Sequence, residues 1–200
     1  MFPDYFRDDV FRIETQRLWL RWPSAADAPA IEQLAGEAEV ARFTARIPHP
    51  YPAGAAQGFV FGARSANLAG EALVLAIALK QKPASLIGMI GLEGAGDSVE
   101  LGYWLGQPYW EAGIATEAVE ALLDMVWLAT DIERVEASVA LLNPRSGHVL
   151  EKAGFVACGE RLTPAPARAA PLPSQKFELV RPRPRFGAVA SGLSDCRAGL

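Results

Sequence analysis

The run Glu100-Leu-Gly-Tyr-Trp-Leu-Gly-Gln-Pro-Tyr-Trp-Glu-Ala-Gly-Ile-Ala-Thr-Glu-Ala holds the residues whose types and spacing point most directly to chemistry. It reads as a strand, a tight turn and the start of a helix. Such a junction aims several unpaired backbone N–H groups, and the positive end of the helix dipole, at one spot. That spot suits an anion, a phosphate above all. Gly113 and Ala115 are small enough for a diphosphate to approach the backbone closely. The turn lacks the lysine and hydroxyl that close a P-loop, and no G-x-G-x-x-G run follows a strand. Nucleoside triphosphates and dinucleotides are therefore poor fits. Taken alone, the same residues also read as an ordinary glycine-assisted turn.

The elements that must position this turn follow from hydrophobic period and turn residues. Ile13 to Trp22 contains the alternating stretch Arg17-Leu-Trp-Leu-Arg-Trp, which reads as a first strand. Ser24 can cap a helix over about Asp27 to Ala35, and a second helix fits Ala53 to Ala66. Between them Ile47-Pro-His-Pro-Tyr-Pro forbids regular structure. Ala72–Leu79, Leu86–Leu92 and Ser98–Leu105 read as strands, the last two joined by a hairpin at Gly94-Ala-Gly-Asp. From Gly113 to Leu128 the pattern turns helical, with Val119, Leu122, Leu123 and Val126 on one face and Glu117, Glu120 and Asp124 on another. Arg134–Leu142 is a strand, and Asn143-Pro-Arg-Ser opens a short helix that Gly154 can close. Phe155–Leu162 and Lys176–Val180 are the last strands, separated by a Pro/Ala-rich loop over Thr163–Pro173. The order describes a mixed α/β fold with one main sheet. Residues 1–182 form its single domain and 183–200 a tail or docked extension.

Composition narrows the function. A chain of 200 residues, half of them hydrophobic, suits one domain with a sizeable core. No apolar run reaches the length of a bilayer span, and the start lacks a signal-peptide pattern, so a cytoplasmic protein away from membranes is expected. A net charge of −4 argues against bulk nucleic-acid binding and is compatible with a cationic amine. Cys158 and Cys196 suggest no disulfide framework, and Cys158, in an apolar stretch, is expected in the core. Two histidines, with no H-E-x-x-H or paired C-x-x-C, give no metal signature.

The turn resembles the pyrophosphate loop of the GNAT N-acetyltransferases, written Gln/Arg-x-x-Gly-x-Gly/Ala, in the RimJ/RimL-type branch where Trp often takes the first place. Trp110, Glu111, Ala112, Gly113, Ile114 and Ala115 fill the six positions, and Thr116-Glu117-Ala118 follows as in that branch. The opening Glu14-Thr-Gln-Arg-Leu-Trp-Leu-Arg, the Ile47-Pro-His-Pro-Tyr loop and Asn143-Pro-Arg-Ser…Leu150-Glu-Lys-Ala-Gly-Phe155 match in the same order, over roughly residues 12 to 160. Two positions depart. Glu111 and Ala112 stand where the branch has Gly or Arg and then a basic residue. A solvent-exposed carboxylate beside a diphosphate costs ~1 kcal/mol, so backbone amides must carry the ligand.

The resemblance implies a mostly antiparallel, twisted sheet that splays between its fourth and fifth strands and is flanked by helices. It implies acetyl-CoA as co-substrate and a primary amine as acceptor, either a protein N-terminus or a small molecule, with direct attack in a ternary complex. Cofactor contacts fall on Leu105, Gly106, Gln107, Trp110, Glu111, Ala112, Gly113, Ile114, Ala115, Thr116, Asn143 and Ser146. The Leu105 N–H would polarise the acetyl carbonyl. Glu100, on one face with Gly102 and Trp104, would take the amine proton through water, or else is a rim or buried structural carboxylate. Ser146 would donate to the departing sulfur, or else cap its helix. Lys152 reads as a solvated surface lysine or a contact to the adenosine phosphate, His49 as a surface loop histidine or an acceptor contact, and Tyr51 and Tyr103 as acceptor contacts. The departures at Glu111 and Ala112 also admit a non-catalytic acyl-CoA-binding domain. Whether the chain forms a homodimer is left open.

Overall fold

The computed structural model describes residues 2–95 and 98–182. Its eight strands are β1 (Arg12–Glu14), β2 (Leu18–Arg21), β3 (Ala72–Leu79), β4 (Leu86–Ala95), β5 (Ser98–Leu105), β6 (Arg134–Ala140), β7 (Val156–Thr163) and β8 (Leu172–Val180). Its helices are α1 (Ala28–Ala35), α2 (Ala38–Ala41), α3 (Ala55–Ala69), α4 (Ile114–Ala129) and α5 (Pro144–Lys152). The strands form one sheet in the order β1-β2-β3-β4-β5-β6-β8-β7, antiparallel throughout except for β5 and β6. This is the expected α/β architecture. The mid-hairpin residues 96–97 and the proposed tail over 183–200 lie outside the described residues.

Several local readings change. The expected first strand is two, because Thr15 turns the chain: its N–H reaches the Leu18 carbonyl at 3.0 Å, and β1 folds back on β2. The splay expected between the fourth and fifth strands therefore lies between β5 and β6. The second helix spans Ala55–Ala69, and a short α2 precedes it in a stretch with no helical period. Cys158 is exposed rather than buried, because β7 is an edge strand whose residues are mostly open to solvent.

The sheet carries a core on each face. Alternate residues of the middle strands pack under α4, with Leu73, Leu75, Leu92, Val99 and Leu101 meeting Val119, Leu122 and Val126. The other set, including Val74, Ala76 and Met89, packs under α1 and α3. Full burial of each Leu or Val contributes about 1.5–3 kcal/mol. β2 pairs with β3 only from Ala76 onward, which leaves the backbone of Val74 without a strand partner on that side. Buried Asn67 of α3 supplies one, accepting from the Val74 N–H at 2.8 Å and donating to its carbonyl at 2.9 Å. On the same side buried Asp27 takes a two-pronged contact from Arg21, 2.7 and 2.8 Å, plus the Ser24 N–H. Burial raises the Asp27 carboxyl, but these bonds outweigh it and hold it below its ordinary value.

Candidate active site

β5 and β6 pair only over Ser98–Arg134, Val99–Val135 and Glu100–Glu136. Beyond Glu100 they part. The Gly106 N–H donates to the Ile87 carbonyl at 2.9 Å. Antiparallel alternation then turns the backbone groups of Leu105 and Tyr103 away from β4 and into the gap toward β6. The free amide at this strand end is therefore that of Leu105, and Gly106 contributes packing instead: a Cβ there would meet Leu34 at 2.8 Å. The gap opens into a cleft of about 690 Å³, within the range of small-molecule sites.

One wall of the cleft is the turn after β5. Trp110 swings back and its indole N–H donates to the Leu105 carbonyl at 2.8 Å, tying turn to strand. Glu111 adopts φ 61° and Gly113 φ 73°, both left-handed, so the chain reverses sharply into α4. For a non-glycine residue such as Glu111 that conformation costs about 1–2 kcal/mol. The first bond of α4 runs from the Glu117 N–H to the Gly113 carbonyl. The N–H groups of Ile114, Ala115 and Thr116 therefore have no partner within the helix, and no side chain caps them. These donors line the cleft and suit a diphosphate.

Arg17, which no motif singled out for a role, braces this turn from the β1–β2 turn, just before β2. Its Nη1 donates to the Ala112 carbonyl at 2.8 Å and its Nε to Glu117 Oε2 at 2.6 Å, while its backbone N–H and Thr15 Oγ1 reach Glu117 Oε1. Burial pushes the Glu117 carboxyl up, but the bonds from Thr15 and Arg17 outweigh it and hold it below its ordinary value. The contact joins residues a hundred positions apart, so periodicity could not reveal it. Glu111 in turn meets Arg145 of α5 at 3.4 Å, and the same guanidinium lies 5.9 Å from the Trp110 ring.

The second wall is the start of α5. The Asn143 side chain accepts the Ser146 N–H at 3.3 Å, so Asn143 is the helix cap and the Ser146 hydroxyl is released from that task. That hydroxyl lies 2.7 Å from the Tyr103 Oη, which also donates to the Ser146 carbonyl at 3.0 Å. Burial pushes the Tyr103 phenol up to about 12, more than the Ser146 bond lowers it, so it stays protonated. Tyr103, expected at the acceptor, thus stands on the α4–α5 side of the sheet with Ser146.

Glu100 points to the opposite face, as alternation requires, and pairs with Arg161 of β7 at 2.7 Å. The residues lining the cleft include Glu100, Tyr103, Leu105, Trp110, Glu111, Gly113, Ile114, Ala115, Thr116, Asn143, Ser146 and exposed Lys152. The structure does not bring Gly106, Gln107, Ala112, His49 or Tyr51 to that lining. His49 Nδ1 instead contacts the Gly36 carbonyl at 2.9 Å, and Tyr51 packs with the α1–α3 core. Phe43, Phe59, Arg145 and Arg161 line the cleft without any sequence signal for it.

The comparisons with known proteins agree with this geometry. Residues 17–156 match the family described as acetyltransferase (GNAT) domain. The uncharacterized N-acetyltransferase p20 of Bacillus licheniformis is 28% identical over 144 residues, covering 70% of this chain and 80% of that protein. The ribosomal-protein-S5-alanine acetyltransferase of Vibrio fischeri superposes with TM-score 0.73 at 20% identity, covering 86% of this chain and 97% of its own. The spermidine N-acetyltransferase of Vibrio cholerae, solved with CoA and spermine, superposes with TM-score 0.70 at 18% identity, covering 84% of this chain and 97% of its own.

Proposed function

We propose, from the premise that this chain belongs to the GNAT acetyltransferase family, that it moves the acetyl group of acetyl-CoA to a primary amine by direct attack. One observation carries the reading. The unpaired amides at the start of α4 and the free amide of Leu105 in the β5–β6 gap open into the same cleft. The first set suits the pyrophosphate, and the Leu105 N–H is a donor for the carbonyl oxygen that gains charge during attack. Attack by the neutral amine forms the new C–N bond, the C–S bond breaks, and one proton leaves nitrogen while the thiolate gains one.

The chain's own groups divide these proton tasks. Glu100, on the acceptor face, takes the proton from nitrogen through water; one of its oxygens is engaged by Arg161. Ser146, backed by the protonated Tyr103, donates to the leaving sulfur on the other face. A base so restrained fits an α-amine, about 10% neutral at pH 7, better than a lysine amine, which is about 0.04% neutral. Thiol release from acetyl-CoA across a panel of peptides and small amines tests the reading. Release that depends on the amine supports it; release no faster than hydrolysis with every amine overturns it.

A further inference from the structure

Three successive cross-strand pairs of β4 and β5 lie on the face away from α4: Met89–Trp104, Gly91–Gly102 and Glu93–Glu100. The middle pair leaves a hollow over Gly102. A Cβ built on Gly102 meets nothing within 4 Å, whereas one on Gly91 would meet the Leu73 carbonyl and Val74 at 3.2 Å; both glycines line the cleft. One end of the hollow is apolar, walled by Met89 and Trp104, with Phe43, Phe59 and Val74 on the same cleft lining. Phe59 is 41% exposed and faces the cleft.

The other end looks acidic in sequence but is balanced in space. Arg46 meets Glu93 at 2.5 Å and Arg161 meets Glu100 at 2.7 Å. Each carboxylate already has its cation, so the hollow offers no free line of negative charge to a polyamine. It does offer unmet hydrogen bonds. Ser138 Oγ, Arg161 Nε and Thr163 Oγ1 are buried polar atoms without partners, and all three residues line the cleft. Buried polar atoms of this kind are ordinarily satisfied, and a ligand's amide groups would satisfy them.

We infer that the acceptor is a peptide α-amine whose first residue carries an apolar or aromatic side chain. That side chain fills the hollow over Gly102 against Met89, Trp104 and the two phenylalanines. The first peptide groups meet Ser138, Arg161 and Thr163. This inference rests on the transferase reading above and narrows its substrate.

The test compares kcat/KM by thiol release for peptides beginning with Phe, Leu, Ser and Asp, with spermidine and phenethylamine alongside. The inference expects the Phe and Leu peptides to exceed the Ser and Asp peptides by at least tenfold, and to exceed both small amines. Equal rates for Leu and Ser peptides, or a preference for spermidine or phenethylamine, overturn it and leave the transferase reading standing. No amine-dependent release with any compound removes both. Gly102→Val separates the two faces: the peptide KM should rise at least tenfold while acetyl-CoA affinity, read by calorimetric titration, stays within twofold. An unchanged peptide KM, or an equal loss of acetyl-CoA affinity, contradicts the placement.

Discussion

The two sides of β5 present different kinds of groups to the cleft. On the α4 side the groups are backbone: the amides of Ile114, Ala115 and Thr116 and the strand end at Leu105, with Arg17 and Trp110 fixing the shape. On the far side they are side chains: Glu100 with its arginine, a glycine hollow and aromatic walls. A backbone-built site depends on chain conformation and tolerates many side chains. A side-chain-built site can change its ligand with a few substitutions while the fold stays the same. That contrast predicts which kinetic constant each mutation moves.

The largest effect is expected at Glu100. Glu100→Gln should lower kcat by about 100-fold at pH 6, where the amine is mostly protonated, and by much less at pH 9. Acetyl-CoA affinity should hold. A pH–rate profile unchanged from wild type would remove Glu100 from the reaction. Gly113→Val should do the reverse. Forcing a β-branched residue to φ 73° costs about 1–2 kcal/mol and crowds the amides, so acetyl-CoA binding should weaken by at least tenfold. A calorimetric titration checks this, and an unchanged affinity would break the backbone account.

Tyr103→Phe removes the phenol that backs Ser146 and should lower kcat about fivefold, the worth of one neutral hydrogen bond. Neither ligand's binding constant should change. Glu117→Gln tests the brace at the turn. Its carboxyl is held below its ordinary value in the folded chain, so it contributes stability above the unfolded value, and that contribution is lost as pH falls through the folded value. The variant should be less stable than wild type at pH 7 by about 2 kcal/mol, read as a lower melting temperature. The gap should begin to close below about pH 4. A gap independent of pH would mean that packing, not charge, sets Glu117's role. Glu111→Gly is expected to have the smallest effect. It relieves the φ 61° conformation and removes a carboxylate from the turn, so acetyl-CoA should bind a few-fold tighter. It also frees Arg145 from its ion pair. Weaker binding would show that Glu111 supports the turn.

The same contrast explains what the sequence disclosed. The turn from Trp110 to Thr116 was legible because small residues at fixed offsets dictate a backbone path, and that path leaves the first amides of α4 unpaired within the helix. The positions of most strands along the chain, and α4's buried face, followed from period and turn residues. The acceptor side was not legible in the same way. The hollow over Gly102 comes to lie between Trp104 and Glu100 beside Met89 and Glu93 only when β4 and β5 pair in this register, and Glu93 is balanced only when Arg46 reaches it across forty-seven positions. Tyr103 sits beside Glu100's strand neighbours in sequence, yet alternation sends it to the other face. Cys158 was misplaced because apolar neighbours suggest burial, while its exposure follows from β7 being an edge. Arg17 lay in plain view within an alternating strand, but its contacts with Ala112 and Glu117 exist only in the folded chain.

The claim on which the rest depends is that the amides at the start of α4, together with the β5–β6 gap, form an acetyl-CoA site. Isothermal titration of acetyl-CoA into the wild-type chain tests it directly. The account predicts saturable binding of one molecule per chain at micromolar ligand. An absence of binding at high micromolar acetyl-CoA would contradict it.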